Sequence, residues 1–260
     1  VMMGVSEQMK LMELTEHLTE LRRRIIWVLS LFVVGLVGGL FIAEPVYQYL
    51  TGSEQAQQFE LNAFSFWDGI GIYMKIAALF SLVISVPFIF YQLWAFVKPG
   101  LRKEEQKAAV RYVPYTFVLF IAGVLFGYYI VFPMTLSFTT TITQSMGLEE
   151  TYGITNYFSF MFNLVLPLAL LFELPLVVMF LTRIRILNPI RLKKLRRYAY
   201  FALVFVAVII TPPDFISDFL VTIPLLLLYE FSVYLSAFIY RKQLAADMEL
   251  EERYVRKEEE

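Results

Sequence analysis

Apolar residues in this chain fall into long runs broken by short polar turns, and the runs predict helices. The first pattern is amphipathic. Leu11, Leu14, Leu18, Leu21 and Ile25 recur at steps of three and four, while Glu13, Glu16 and Glu20 fall on the other side. This predicts a helix over about 11–24 that lies along a membrane surface and then turns into it. Ile25–Ala43 follows as 19 uncharged residues between Arg24 and Glu44, close to the ~20 that a helix needs to cross the hydrocarbon core. Within it, Gly35, Gly38 and Gly39 offer a small-residue face for a neighbouring helix. Glu44–Ile70 reads as a loop, with Phe64, Phe66 and Trp67 suited to the membrane interface.

Five more apolar runs follow, the last two of them read as short spans. The second span is Ile76–Val97, with Pro87 inside it and Pro99-Gly100 stopping it. The third is Tyr112–Phe132, ended by Pro133, and the fourth is Phe158–Leu181, containing Pro167, Glu173 and Pro175. The fifth, Tyr198–Ile210, has only 13 residues, about 20 Å of helix at ~1.5 Å per residue. It ends at Thr211-Pro212-Pro213-Asp214; the sixth runs from Phe219 to Tyr240 through Pro224 and Glu230. The expected fold is therefore all-α and polytopic. Residues 1–240 form a single six-helix membrane domain whose last two spans are short. Residues 241–260 form a charged tail, expected to be disordered.

Composition agrees with a membrane protein. Hydrophobic residues make up 58% of the chain and charged ones 17%, against ~45–50% and ~25% in soluble domains. Charge also sets an orientation. All 22 lysines and arginines except Lys75 lie in 1–24, in the turns after spans two and four, or in the tail. The positive-inside rule puts those segments, and with them both termini, in the cytoplasm. The first apolar run is too late and too long for a cleavable signal peptide. The absence of cysteine and the single histidine leave no thiolate or histidine metal site to expect. No cofactor, no nucleic-acid partner and no enzymatic activity are expected, since no nucleophile–base pair stands out.

The candidate functional residues are acids near or inside the membrane. Glu20 beside Arg22, Arg23 and Arg24 makes a surface that could receive a cationic ligand, or it could simply pair with Arg23 or Arg24 at i+3 or i+4. Arg22 could anchor headgroups or orient Glu20. Glu104 and Glu105 are acids in an otherwise basic turn. Glu173 sits well inside an apolar span, where a carboxyl is costly and functional by default. Its alternative is a protonated acid hydrogen-bonded to a backbone carbonyl freed by Pro167 or Pro175. Glu230 is a weaker case, since span six could end soon after it, and Asp214 could cap that helix.

The motifs carry a resemblance. His17-Leu-Thr-Glu-Leu-Arg22 precedes span one and Tyr91-Gln-Leu-Trp-Ala-Phe-Val-Lys-Pro-Gly-Leu101 ends span two. Phe132-Pro133 and Phe172-Glu-Leu-Pro175 follow, then Thr211-Pro-Pro-Asp214 and Ile223-Pro-Leu-Leu-Leu-Leu-Tyr-Glu230. In this order the chain resembles the TatC family, the multispanning core of the twin-arginine protein translocase. The resemblance implies a receptor for signal peptides with two adjacent arginines, in the cytoplasmic membrane of a bacterium. Such a receptor works with single-span TatA- and TatB-type subunits, and other copies of itself are a further option. It exports folded proteins at the expense of the proton-motive force. By position, the implied arginine-binding patch is Glu20, Glu105 and Phe96. Relatives often carry histidine where this chain has Glu104. An alternative from another class is a proton- or ion-coupled small-molecule transporter with Glu173 on the pathway; against it, no duplicated halves are visible.

Overall fold

The computed structural model describes residues 2–98, 113–148, 150–211 and 215–259. In chain order the elements are α1 (Met2–Thr51), α2 (Glu54–Gln57), β1 (Leu61–Asn62), α3 (Asp68–Val97), α4 (Val113–Phe126), a π-helical stretch Gly127–Val131, α5 (Phe132–Ser145), β2 (Tyr152–Gly153), α6 (Ile154–Leu171), α7 (Leu174–Arg183), α8 (Pro189–Ile210) and α9 (Phe215–Glu259). The two strands are a minimal parallel pair, Leu61 with Tyr152 and Asn62 with Gly153. Among the described residues, five helical stretches are long and apolar enough to cross a bilayer: Leu18–Thr51, Asp68–Val97, Pro114–Ser145, Ile154–Arg183 and Ile216–Arg253. The chain is all-α and membrane-spanning. The last of these stretches has 38 residues, so the final span is not short as expected; its helix continues well past Tyr240, where the apolar run stops.

Contacts divide the chain into two compact units: Val1–Ala56 with Ser65–Phe117, and Gln57–Phe64 with Val118–Glu260. The first unit is built on α1 and α3. The helix α1 is continuous through residues 11–51, with no turn between the amphipathic stretch and the span. It also runs through Glu44 and Pro45, where a loop was expected. The two helices meet at the predicted glycine face. The backbone of Ala77 packs on Gly39 and Ser81 packs on Gly35, and the Ser81 hydroxyl donates to the Phe32 carbonyl at 2.6 Å. Towards the other end, the Tyr73 hydroxyl donates to Glu44 and the Tyr47 and Tyr73 rings lie 5.9 Å apart. At the start of α3, Asp68 reaches back to accept the Ser65 N–H at 2.9 Å, tying the preceding turn to the helix.

In the second unit, the core gathers Val131, Leu168, Val178, Leu203, Val221, Leu225 and Val233. Pro133 does not end the third span, as the sequence suggests. The helix instead widens to a π turn just before it, and the Phe132 N–H bonds the Gly127 carbonyl five residues back. A proline lacks an N–H and crowds the carbonyl four residues earlier; the wider turn lets the helix proceed into α5. The fourth span is interrupted at Phe172-Glu173, where α6 ends and α7 begins with Pro175 in its first turn. The helix α8 opens at Pro189, with Asn188 accepting the Arg191 N–H at 2.7 Å as an N-cap. Its first half is the basic stretch, so its apolar part stays short.

The segment expected to be a disordered tail continues α9 as far as Glu259. Leu244, Ala245, Ala246, Met248 and Glu249 are good helix formers, and the start of the extension is held. Gln243 donates to the Arg183 carbonyl at 2.8 Å, and Arg185 makes two parallel bonds to Asp247, at 3.0 and 2.9 Å. Arg185 has φ 63°, a left-handed conformation at the end of α7 where glycine is usual. Its fork-to-carboxylate pairing offsets that cost. Asp247→Asn is expected to release the extension by about 1 kcal/mol and to speed tryptic cleavage at Arg241 and Lys242 about fivefold. An unchanged cleavage rate would show that the helix stands without the pair.

Candidate functional site

The first unit carries a site where α1 and α3 run side by side near Arg24. Glu20 and Arg24 are one turn apart and form an ion pair, in the favourable order of acid before base. Arg24 is fixed from the other helix as well. It donates through Nη1 to Gln92 Oε1 at 3.0 Å and through Nη2 to the Ala95 carbonyl at 3.1 Å. The sequence explains that carbonyl's availability. Its usual helical donor would be residue 99, which is proline and has no N–H. Unpaired carbonyls at a helix C-terminus attract cations. Near the same helix end, the Lys98 ammonium lies 5.2 Å from the ring centre of buried Trp94.

Two grooves flank the Arg24–Gln92 contact. One, of about 440 Å³, is lined by Glu20, Arg23, Trp27, Tyr91, Trp94, Ala95 and Lys98 together with Arg24 and Gln92. The other, of about 230 Å³, shares Arg24 and Gln92 but is otherwise apolar: Leu21, Ile25, Val28, Leu29, Ile89, Leu93 and Phe96. The arrangement thus joins a half-exposed carboxylate, the aromatic side chains of Trp27, Tyr91 and Trp94, and an apolar trough. It can hold a cation followed by a hydrophobic segment.

Of the predicted patch, Glu20 and Phe96 are brought to this pair of grooves. Glu104 and Glu105 lie outside the described residues, as does Asp214. Arg22 is exposed, and Arg24, not Arg22, holds Glu20. Gln92 and the Ala95 carbonyl were missed by the sequence reading. One signal for Gln92 was present: it is an amide side chain inside an apolar run.

The acids of the second unit have different surroundings. Glu173 is buried, 4% exposed, and sits at the break between α6 and α7. Its backbone carbonyl accepts the N–H groups of Leu176 and Val177, both at 3.0 Å. Neither carboxyl oxygen has a hydrogen-bond partner among the described residues, so the suggested bond to a freed carbonyl is not made. Glu230, by contrast, is fully engaged, accepting from Arg196 at 2.7 Å and from the Tyr200 hydroxyl. Beside it, the Tyr229 hydroxyl donates to the Leu192 carbonyl at 2.9 Å. Thr211 donates to Asp218 in the first turn of α9.

Comparison with known proteins places these features. The family described as Sec-independent protein translocase protein (TatC) matches residues 16–224. A Sec-independent protein translocase protein TatC of Halalkalibacterium halodurans is 45% identical over 95% of this chain and 98% of its own length. The TatCy protein of Bacillus subtilis is 44% identical over 89% of this chain and 91% of its own. A crystal structure described as the twin arginine translocase receptor TatC superposes with a TM-score of 0.73 at 31% identity, covering 86% of this chain and 99% of that one. These matches give the small-molecule transporter alternative no support. The chain belongs to the TatC family and is a multispanning membrane component of the Sec-independent protein translocase.

Proposed function

We propose that this chain is the receptor of that translocase for signal peptides carrying two adjacent arginines, acting in the cytoplasmic membrane. Residues 1–240 make one membrane domain of six crossings, α8 supplying the short fifth one, with both termini in the cytoplasm. The observation that carries the reading is the half-exposed Glu20 carboxylate, which already holds a guanidinium beside an apolar groove edged by Phe96. Glu105, with Glu104 next to it, supplies the second carboxylate. Two adjacent arginines then meet two acids, each pairing through parallel hydrogen bonds that an ammonium cannot reproduce. An exposed ion pair is worth only ~0–1 kcal/mol. The apolar groove therefore contributes by taking the start of the signal's hydrophobic segment, with Phe96 as an aromatic face for the cation.

The partners follow from the same reading. Single-span TatA- and TatB-type subunits dock on the spans, with Glu173 and Asp214 as candidate polar contacts and Glu230, already held by Arg196 and Tyr200, as a structural position. Translocation then draws on the proton-motive force, with no cofactor and no catalytic step.

The test is photo-cross-linking of a signal peptide to the purified chain in lipid. The twin-arginine peptide is expected to be captured, its twin-lysine version weakly, and Glu20→Gln and Glu105→Gln are each expected to lower capture of the first. Equal capture of the two peptides by the unaltered chain sinks the receptor reading.

A further inference from the structure

Glu20 is not waiting empty: its Oε1 atom is taken by Arg24. We propose that Arg24 is an internal competitor for the Glu20 carboxylate, and that the exchange of its guanidinium for that of the cargo is what separates arginine from lysine at this position. The inference rests on the receptor reading above and adds a specificity-determining residue to it.

The geometry makes the exchange inexpensive in one direction. The Arg24 guanidinium has three partners, and two of them are on α3: Gln92 Oε1 at 3.0 Å and the Ala95 carbonyl at 3.1 Å. When Glu20 leaves, both remain. The displaced cation stays hydrogen-bonded at a helix C-terminus that favours positive charge, so one charge-assisted bond is exchanged for another and no guanidinium is stranded. The side chain of Arg24 is 20% exposed and that of Glu20 38%. The acid can therefore turn to an incoming ligand while the arginine stays against α3.

The same geometry distinguishes the two cations. A planar guanidinium needs both carboxylate oxygens for its fork, so it can bind fully only by taking Oε1 from Arg24, and it gains two bonds in doing so. An ammonium is a point charge with no fork to match. It gains little from displacing Arg24, and with Arg24 in place it meets a carboxylate already neutralised. Removing Arg24 should therefore help lysine more than arginine.

The experiment measures affinity of twin-arginine and twin-lysine signal peptides for the full chain in lipid nanodiscs. It compares the unaltered protein with Arg24→Gln, Arg24→Lys, Glu20→Gln and the Glu20→Gln/Arg24→Gln double variant. Arg24→Gln is expected to tighten the twin-arginine peptide by about three- to fivefold, the scale of one exposed ion pair. It should tighten the twin-lysine peptide more, so that the ratio between them falls. Arg24→Lys keeps the charge and should give a ratio between those of Arg24→Gln and the unaltered chain. In the Glu20→Gln background the gain should vanish, because the coupling is between these two side chains. Weaker binding by Arg24→Gln, matching Glu20→Gln, would make Arg24 a support for Glu20 and overturn the proposal. A gain that persists without Glu20 would reduce it to net charge and overturn it too. If the receptor reading itself fails, the signature is different: the unaltered chain does not tell the peptides apart and Glu20→Gln changes nothing.

Discussion

Gly39→Leu is expected to separate α1 from α3 and to lose the folded helix pair. A Cβ at position 39 would lie 2.7 Å from the Ala77 Cα and 2.8 Å from its carbonyl oxygen. Both are backbone atoms and cannot rotate aside, so the helices themselves must part. At Gly35 the nearest obstacle is the Ser81 hydroxyl at 2.7 Å, a side chain that can swing away if it gives up its bond to Phe32, and the nearest backbone atom, the Ser81 Cα, stands further off at 3.1 Å, so the helices need give only a few tenths of an ångström. At Gly38 the nearest atom is a ring carbon of Phe80 at 3.9 Å, ordinary contact. The three positions therefore rank themselves. Leucine at 39 should cost about 3 kcal/mol or more, at the upper end of overpacking. Alanine at 35 should cost less, and alanine at 38 should be neutral or slightly stabilising, since alanine exceeds glycine in helix propensity by about 1 kcal/mol. In lipid no hydrophobic force returns the parted helices, because their association depends on close packing. The Arg24–Gln92 contact joins the same two helices, so signal binding should fall along with stability. Thermal unfolding of the purified variants checks the ranking. A Gly39→Leu protein that melts with the parent would refute the close crossing.

Much of this was legible in the sequence because each apolar run reports where lipid is. The glycine face of the first span and the short apolar part of α8 were both readable. Helix ends were not, because a charge marks where hydrocarbon stops and not where hydrogen bonding stops. Thus α1 continues through Glu44 and Pro45 to Thr51, and α9 through its charged segment to Glu259. Pro133 misled for a related reason: a proline breaks a regular α-turn, but a π turn placed before it absorbs the lost bond. At the site, periodicity offered Arg23 and Arg24 equally as neighbours of Glu20. The choice of Arg24 is made by α3, through Gln92 and a carbonyl left open by Pro99, and such a contact between residues about 70 apart has no local signature.

Glu173→Leu is expected to raise the thermal stability of the chain while abolishing export. The carboxyl is 4% exposed, and neither oxygen has a partner among the described residues. A buried polar group left unsatisfied costs about 1–3 kcal/mol, which leucine, of similar size and apolar, would return to the fold. The break in the fourth span does not depend on the acid. It follows from Pro175, which denies the Leu171 carbonyl its helical donor, and so it should persist in the variant. A costly acid kept at a helix break inside the membrane points to use by a partner or a passing chain. The two readouts then move in opposite directions, which simple damage to the fold cannot produce. Glu173→Gln serves as the intermediate: it keeps hydrogen-bonding capacity without an ionisable group, so export by this variant measures how far the carboxyl itself, and not its polarity, is required. A Glu173→Leu protein that is less stable than the parent would mean that the acid holds a structural bond after all, and undiminished export would remove it from the functional surface.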